Sequence, residues 1–291
     1  MDGILIINKP KNYTSNDIVN KVKKILNTKV GHTGTLDPNA TGVLPLLLGK
    51  GTKFSKYLMN HDKKYIATLQ LGIKTSTADI EGNIIEKKEV NSSIFEVKNI
   101  DNVLKTFLGK QIQTPPIYSA IKVKGKKLYE YARNNLEVEI PKRNIEIYNI
   151  NILNIDMKMA QIKFEVECSK GTYIRSLCED IAERLGTVGY MKELERSKVG
   201  EFKIEESVTI EELDKNKDNI DWLNKNIITL EHLLKDVNKI KIKSNELDMF
   251  FNGVKLTTNN KDGIYTIYSE DNKFIGSGIV ENNKMKRDVI V

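Results

Sequence analysis

Gly31-His32-Thr33-Gly34-Thr35-Leu36-Asp37-Pro38-Asn39-Ala40-Thr41-Gly42 is the most distinctive stretch of this 291-residue chain. Its glycines admit backbone conformations closed to other residues and allow close approach of a ligand, and Pro38 stiffens the chain directly after an acidic residue. A carboxylate held that way, on Asp37, can be presented rigidly for chemistry. Turn preferences alone offer a plainer reading, in which Asp-Pro in a glycine-rich loop is an ordinary turn. The following Gly49-Lys50-Gly51-Thr52 lacks the Gly-Lys-Ser/Thr order of a phosphate-binding loop. Between Gly31 and Gly51 apolar residues are scattered until positions 43–48, which predicts a long structured loop leading into a buried element.

Outward from there, the apolar run Ile4 to Ile7, ended by Lys9-Pro10, predicts a buried strand, and Thr14-Ser15-Asn16-Asp17 supplies a capping box for a helix carrying Ile18, Val22, Ile25 and Leu26 at the helical period. Tyr65, Ala67, Leu69 and Leu71 alternate with more polar residues up to Gly72, the pattern of a half-buried strand. Ile100, Val103, Leu104 and Phe107 mark an amphipathic helix ended by Gly109. Residues 114–143 change character: Tyr118, Tyr129 and Tyr131 are interleaved with Lys122, Lys124, Lys126, Lys127, Arg133, Lys142 and Arg143, as in an inserted basic, aromatic surface. Two further strands are predicted at Ile145 to Ile152 and Ile162 to Cys168. The second runs into Lys170-Gly171-Thr172-Tyr173-Ile174-Arg175 at a strand-to-helix corner, the helix continuing to Gly186. Residues 207–237 read as a charged, helical connecting region, and short strands near 240–242, 264–267, 274–280 and 288–291 as a small β domain.

The 46 Lys+Arg against 39 Asp+Glu leave a net charge of +7 and a pI near 9.0. That balance favours acidic partners such as nucleic acid, although lysine so interspersed with glutamate equally describes a solvated surface. Cys168 and Cys178 form no CxxC pair and have no histidine at zinc spacing, which argues against a disulfide framework or a metal site. The first residues do not read as a signal peptide and no apolar run approaches bilayer length, so no membrane association and a cytoplasmic location are expected.

The twelve residues from Gly31 to Gly42 closely resemble the catalytic segment of the bacterial tRNA pseudouridine-55 synthases. Other pieces of that family's pattern follow in order: Lys9-Pro10 with Thr14-Ser15-Asn16-Asp17; Lys63-Lys64-Tyr65; Tyr118-Ser119-Ala120-Ile121-Lys122 with residues 125–133; and residues 168–177 around Arg175. The resemblance is strong over residues 1 to about 200 and weak in the C-terminal fifth. It implies an α+β fold, with a mixed, largely antiparallel central sheet and flanking helices over residues 1–230, and a small PUA-like β domain over 238–291.

The implied reaction is a cofactor-free, metal-free conversion of uridine to pseudouridine at position 55 in the T-loop of tRNA, with Asp37 as nucleophile on a flipped-out nucleotide. Arg175 is expected to pair with Asp37 and Tyr65 to stack on the base and assist proton removal; Tyr65 alone would otherwise read as core. His32 matches the residue that fills the space left by the flipped nucleotide, Tyr173 and Leu194 match pocket-lining positions, and Lys9 supports the Asp37 loop. Lys122, Lys126 and Lys127 grip RNA from the insertion. A monomer without an obligate protein partner is expected, because the complete insertion fits stand-alone tRNA recognition better than the mode of guide-RNA-dependent relatives, which work within a multiprotein particle. A non-catalytic tRNA-folding protein is the alternative. Two departures, Asn12 in place of a frequent glycine and Ser76 in place of aspartate, are expected to leave the chemistry untouched, asparagine being tolerant of positive φ.

Overall fold

The computed structural model describes residues 1–59, 61–134 and 136–291. Strand β1 (Gly3–Lys9) is buried along almost its whole length, as its β-branched run requires. Helix α1 (Ser15–Leu26) starts at the Thr14 capping box, with Thr14 and Asp17 satisfying each other's backbone N–H groups, and buries Ile18 and Val22. Asn12 takes φ 66°, in the left-handed region that asparagine tolerates. A hairpin of β2 (Val30–His32) and β3 (Thr41–Leu48) follows. The expected loop from Gly31 to Gly51 is therefore shorter: only residues 33–40 connect the two strands, because His32 pairs with Leu46 and Thr41 already belongs to β3.

After the short helix α2 (Ser55–Leu58) comes β4 (Lys63–Leu71), which buries Tyr65, Ala67, Leu69 and Leu71 as the alternation predicts. The small hairpin β5 (Ile73–Thr75) and β6 (Ile84–Lys87) and helix α3 (Val97–Lys105) lead to β7 (Gly109–Gln113). Gly109, at φ 86°, opens this strand; the helix itself stops four residues earlier. The insertion is a two-residue-per-arm hairpin, β8 (Lys122–Val123) and β9 (Lys126–Lys127), followed by helix α4 (Leu128–Arg133). Long strands β10 (Arg143–Asp156) and β11 (Gln161–Cys168), helix α5 (Ile174–Arg184), β12 (Gly189–Val199) and β13 (Phe202–Lys203) complete the central unit with α6 (Ile210–Lys215), α7 (Ile220–Asn226) and β14 (Ile227–Ile228).

Among the described residues the main sheet has ten strands, ordered β14-β1-β3-β12-β4-β11-β10-β7, with β2 beside β3 and β13 beside β12. It is mixed but largely antiparallel: β3 and β12 run parallel and the other pairs antiparallel. α3 and α5 cover β4, β10 and β11 on one core, while α1 covers β1 and β3 on another. The stretch 207–237 is not a mere connector. Val208, Ile210, Leu213 and Leu223 are buried in the α1 core, and β14 adds a strand beside β1, so few apolar side chains suffice where each meets an existing face.

A second sheet, β15 (Lys239–Ile242), β17 (Gly263–Ser269), β18 (Phe274–Glu281), β19 (Lys284–Ile290) and β16 (Leu256–Thr257), encloses its own small core around Ile242, Phe250, Ile267 and Val280, with helix α8 (Leu247–Phe251) against it. Val289 and Phe274 also reach the main unit, joining Phe54, Leu58 and Phe202, and Asp288 accepts hydrogen bonds from Tyr57 and Ser277. Among the described residues no helix is long and apolar enough to cross a membrane.

Candidate active site

The 33–40 connection is pinned from four sides. Leu36 and Ala40 are buried in the core under β4 and α5, so the loop's apolar residues anchor it while Asp37 between them keeps 34% of its side chain exposed. The Ser15 hydroxyl, buried in the first turn of α1, accepts from Leu36 N (2.8 Å) and faces Leu36 O (3.2 Å). Lys9, wholly buried, donates to the carbonyls of Pro10 (2.9 Å), Tyr13 (2.7 Å) and Pro38 (3.0 Å), and Asn12 N donates to Pro38 O (2.9 Å). Burial lowers the Lys9 ammonium to about 8, with Asp37's charge opposing the shift. Ala40 N closes a turn on Asp37 O (3.1 Å) with Pro38 at its second position, so Asp37 is a turn residue as well as a presented carboxylate.

Of the three glycines in residues 31–42, only Gly42 is held at a positive φ, 103°, and a Cβ there would lie 2.3 Å from the Arg196 carbonyl oxygen across the parallel β3–β12 pair. Gly31 and Gly34 adopt no left-handed backbone; the β2–β3 pairing keeps Gly31 in a strand, and Gly34 lies close under the Arg196 guanidinium. Ser15→Ala leaves the Leu36 N–H buried without its acceptor and should cost about 1–3 kcal/mol in urea unfolding.

Arg175, buried in the first turn of α5, reaches Asp37 with two nitrogens: Nε to Oδ2 at 3.1 Å and Nη2 to Oδ1 at 3.4 Å. The same guanidinium contacts Asp79 Oδ2 (3.4 Å) and donates to the carbonyls of Tyr118 (3.0 Å) and Thr77 (3.4 Å). The unfavourable position of a cation at a helix N-terminus is thus offset by two carboxylates. Asp79 is itself fixed, accepting from Thr77 Oγ1 and from Glu81 N (3.0 Å), and its carbonyl accepts from Thr75 Oγ1 (2.6 Å). Burial pushes the Asp37 carboxyl above its ordinary value; Arg175 is the chief influence opposing this, and Asp79 adds to the rise.

Asp37 and Arg175 lie in a cleft of about 1060 Å³ whose walls include Tyr65, Tyr173, Leu194 and Met191, with Tyr118, Ser119 and Tyr129 of the insertion on one side and Arg143 and Lys170 at its rim. Asp37, Tyr65, Tyr173, Arg175 and Leu194 meet here; Tyr65 and Leu194 also belong to the core beneath, so pocket and core readings hold together. Gln113 fixes Tyr173, accepting from its N–H (2.8 Å) and donating to its carbonyl (3.0 Å). Five proposed groups stand behind or beyond the cleft. Lys9 lies under the loop, and Lys122, Lys126 and Lys127 lie on the outer hairpin, where Lys127 and Arg133 approach the Tyr129 ring at 5.4 Å each. His32 sits in β2, outside the lining; burial lowers its pKa and its Nδ1 is buried with no partner among the described residues.

The sequence did not single out Ser15, Asp79 or Arg196. Ser15 is visible only as part of a capping pattern. Asp79 stands in the very segment, 75–79, whose departure at Ser76 seemed remote from the chemistry; Ser76 itself accepts from Asn83 N, yet three residues on the chain reaches Arg175. Arg196 is one charged residue among many in residues 192–198, and only the sheet register reveals it.

A carboxylate gripped by arginine, beside an aromatic and aliphatic slot and under a basic rim, suits an enzyme acting on a flat, negatively charged substrate such as a nucleotide. Residues 23–174 match the family model described as TruB family pseudouridylate synthase (N terminal domain), and residues 175–240 match that of the tRNA pseudouridylate synthase B C-terminal domain. The chain belongs to the TruB family of pseudouridylate synthases. It is 45% identical to tRNA pseudouridine synthase B of Clostridium tetani, over 96% of this chain and 95% of that protein, and 47% identical to its namesake in Staphylococcus saprophyticus, over 84% and 82%. Its fold is similar to that in the crystal structure of a Cbf5-Nop10-Gar1 complex, with TM-score 0.71 and 28% identity over 99% of this chain and 83% of that one.

Proposed function

We propose that this protein isomerises uridine to pseudouridine at position 55 in the T-loop of tRNA, acting in the cytoplasm as a monomer, with Asp37 as nucleophile. The observation that carries the reading is the two-nitrogen Arg175 grip on Asp37 at the floor of a cleft lined by Tyr65 and Leu194. The reaction breaks the C1′–N1 bond, turns the base and joins C1′ to C5. Both electrophilic centres of the nucleotide, C1′ and C6, are one bond from N1, so one carboxylate position serves attack on either. The conversion is redox-neutral and intramolecular, and the side chains present supply what it needs: a nucleophile, a cation to orient it and a group to take the C5 proton.

Tyr65 and Leu194 sandwich the extruded base, with Tyr173 beside them, and the Tyr65 hydroxyl takes part in removing the C5 proton. The insertion's Lys122, Lys126 and Lys127 neutralise phosphates of the T-arm, while His32 fills the place left by the flipped nucleotide. Residues 1–230 form the catalytic domain and 238–291 a PUA-like RNA-binding domain that lengthens the contact with tRNA. In the test, purified protein is mixed with a tRNA transcript carrying uridine tritiated at C5, without other proteins. Release of about one tritium per tRNA is expected, and none from a transcript with cytidine at position 55; undiminished release from that second transcript would overturn the assignment of the site.

A further inference from the structure

Arg196 is among the largest fully buried side chains of the protein, at 2% exposure, and among the described residues no carboxylate lies within ion-pair distance of it. An unpaired guanidinium taken out of water is costly unless its N–H groups are satisfied. Here Nε donates to Val43 O (2.8 Å) and Nη2 to Gly34 O (3.1 Å), and Nη1 faces Thr35 O (3.5 Å), which ties both ends of the Asp37 loop to one strand. Beyond these carbonyls the guanidinium acts electrostatically on the Tyr65 hydroxyl, and both residues line the same cleft. Register explains the meeting: on β12 and β4, Arg196 and Tyr65 are directly opposite residues, so their side chains leave the sheet on the same face. A neutral amide could hold carbonyls; a full charge pointed at a phenol does something more.

We propose that Arg196 is a positioning residue for the last step of the isomerisation, holding the Tyr65 hydroxyl at the nucleotide and stabilising its phenolate, so that Tyr65 can take the proton from C5. This rests on the reading of the protein as a pseudouridine synthase. In that step the C5–H bond breaks, its electron pair forms the C5=C6 double bond as the C6=N1 double bond opens onto N1, and the proton passes to the Tyr65 oxygen. N1, now free of the ribose, takes a proton from solvent, replacing the one that Tyr65 lost to water on becoming phenolate. Burial, with smaller contributions from Cys168 and Asp37, pushes the Tyr65 hydroxyl up from its ordinary value, and Arg196 is the influence that pulls it back. Arg196 also acts on Asp37 in the same cleft, with the sign that favours its carboxylate.

The test compares Arg196→Gln and Arg196→Lys with wild type in single turnover on tRNA made with either ordinary uridine or uridine deuterated at C5. Arg196→Gln should slow pseudouridine formation about tenfold or more, and the deuterium effect should become larger than in wild type because C5 deprotonation now limits the rate. Arg196→Lys, which keeps a cation, should recover most of the rate. In a Tyr65→Phe background, Arg196→Gln should add little further loss. The isotope effect is read on active molecules only, so partial unfolding cannot imitate it. An unchanged rate, or a slower rate with an unchanged isotope effect and no recovery by lysine, overturns the proposal and leaves Arg196 a structural clamp. Absence of pseudouridine from wild-type reactions would instead overturn the proposed function.

Discussion

Asp37→Asn should lower the rate of pseudouridine formation by about four orders of magnitude while leaving tRNA affinity within about threefold of wild type. Asparagine fills the same space, so Leu36 and Ala40 stay buried and the turn closed by Ala40 N is undisturbed. Arg175 keeps its contacts with Asp79 and with the Tyr118 and Thr77 carbonyls, which holds α5 in place. What disappears is a negative oxygen able to attack. Tritium release in single turnover reads the chemistry and a filter assay reads binding; a variant that retains more than about a hundredth of the wild-type rate removes Asp37 from the role of nucleophile. The same variant separates catalysis from tRNA folding, since a protein acting only as a folding aid would restore the phenotype of a deletion strain in full with asparagine at this position.

Arg175→Lys is the second large effect. One guanidinium reaches two carboxylates and two carbonyls at once, and a lysine ammonium, a point charge on a flexible stem, cannot span them. The misplaced carboxylate should slow the reaction about a hundredfold. The pH profile gives the sign. Asp37 must be ionised to attack, burial already raises its pKa, and weakening Arg175's opposing influence raises it further, so the acid limb of kcat/KM moves to higher pH. Stability follows the same linkage. Since the folded-state pKa of Asp37 lies above the unfolded one, the folded chain holds the proton more tightly and loses stability as pH rises between the two values. The variant's deficit in urea unfolding is therefore greatest at neutral pH, about 2–4 kcal/mol, and shrinks on acidification. That is below the full cost of stranding a buried charge because Asp37 keeps 34% of its side chain exposed. An acid limb that stays where the wild type has it would show that Arg175 does not set the ionisation of Asp37.

Much of this was legible from the residues. The alternation at Tyr65, Ala67, Leu69 and Leu71 and the capping box at Thr14 each specify a local structure, and local structure is what period and capping encode. The Asp37 segment read as a turn on its chemistry and as a catalytic loop on its resemblance, and the structure makes it a turn. Asp79 and Arg196 escaped because their placement depends on partners far along the chain: Asp79 on Arg175 at the start of α5, Arg196 on the register of three strands. No window of sequence contains that register. Residues 207–237 misled for a related reason, since a sparse set of apolar side chains looks like a linker until the face they cover is known.

The parallel pairing of β3 with β12 has a consequence for how the protein comes into being. Val43 waits 153 residues for the guanidinium that grips its carbonyl, and Asp37 waits 138 for Arg175. Contacts of such sequence separation demand loop closure before they return any stabilisation, so they form late and slowly. On the ribosome, the N-terminal hairpin emerges with its acidic residue unoriented and stays so until Arg196 has left the exit tunnel. A truncated nascent chain can therefore be basic enough to touch RNA yet have no capacity to alter it; modification begins only when the sheet is closed.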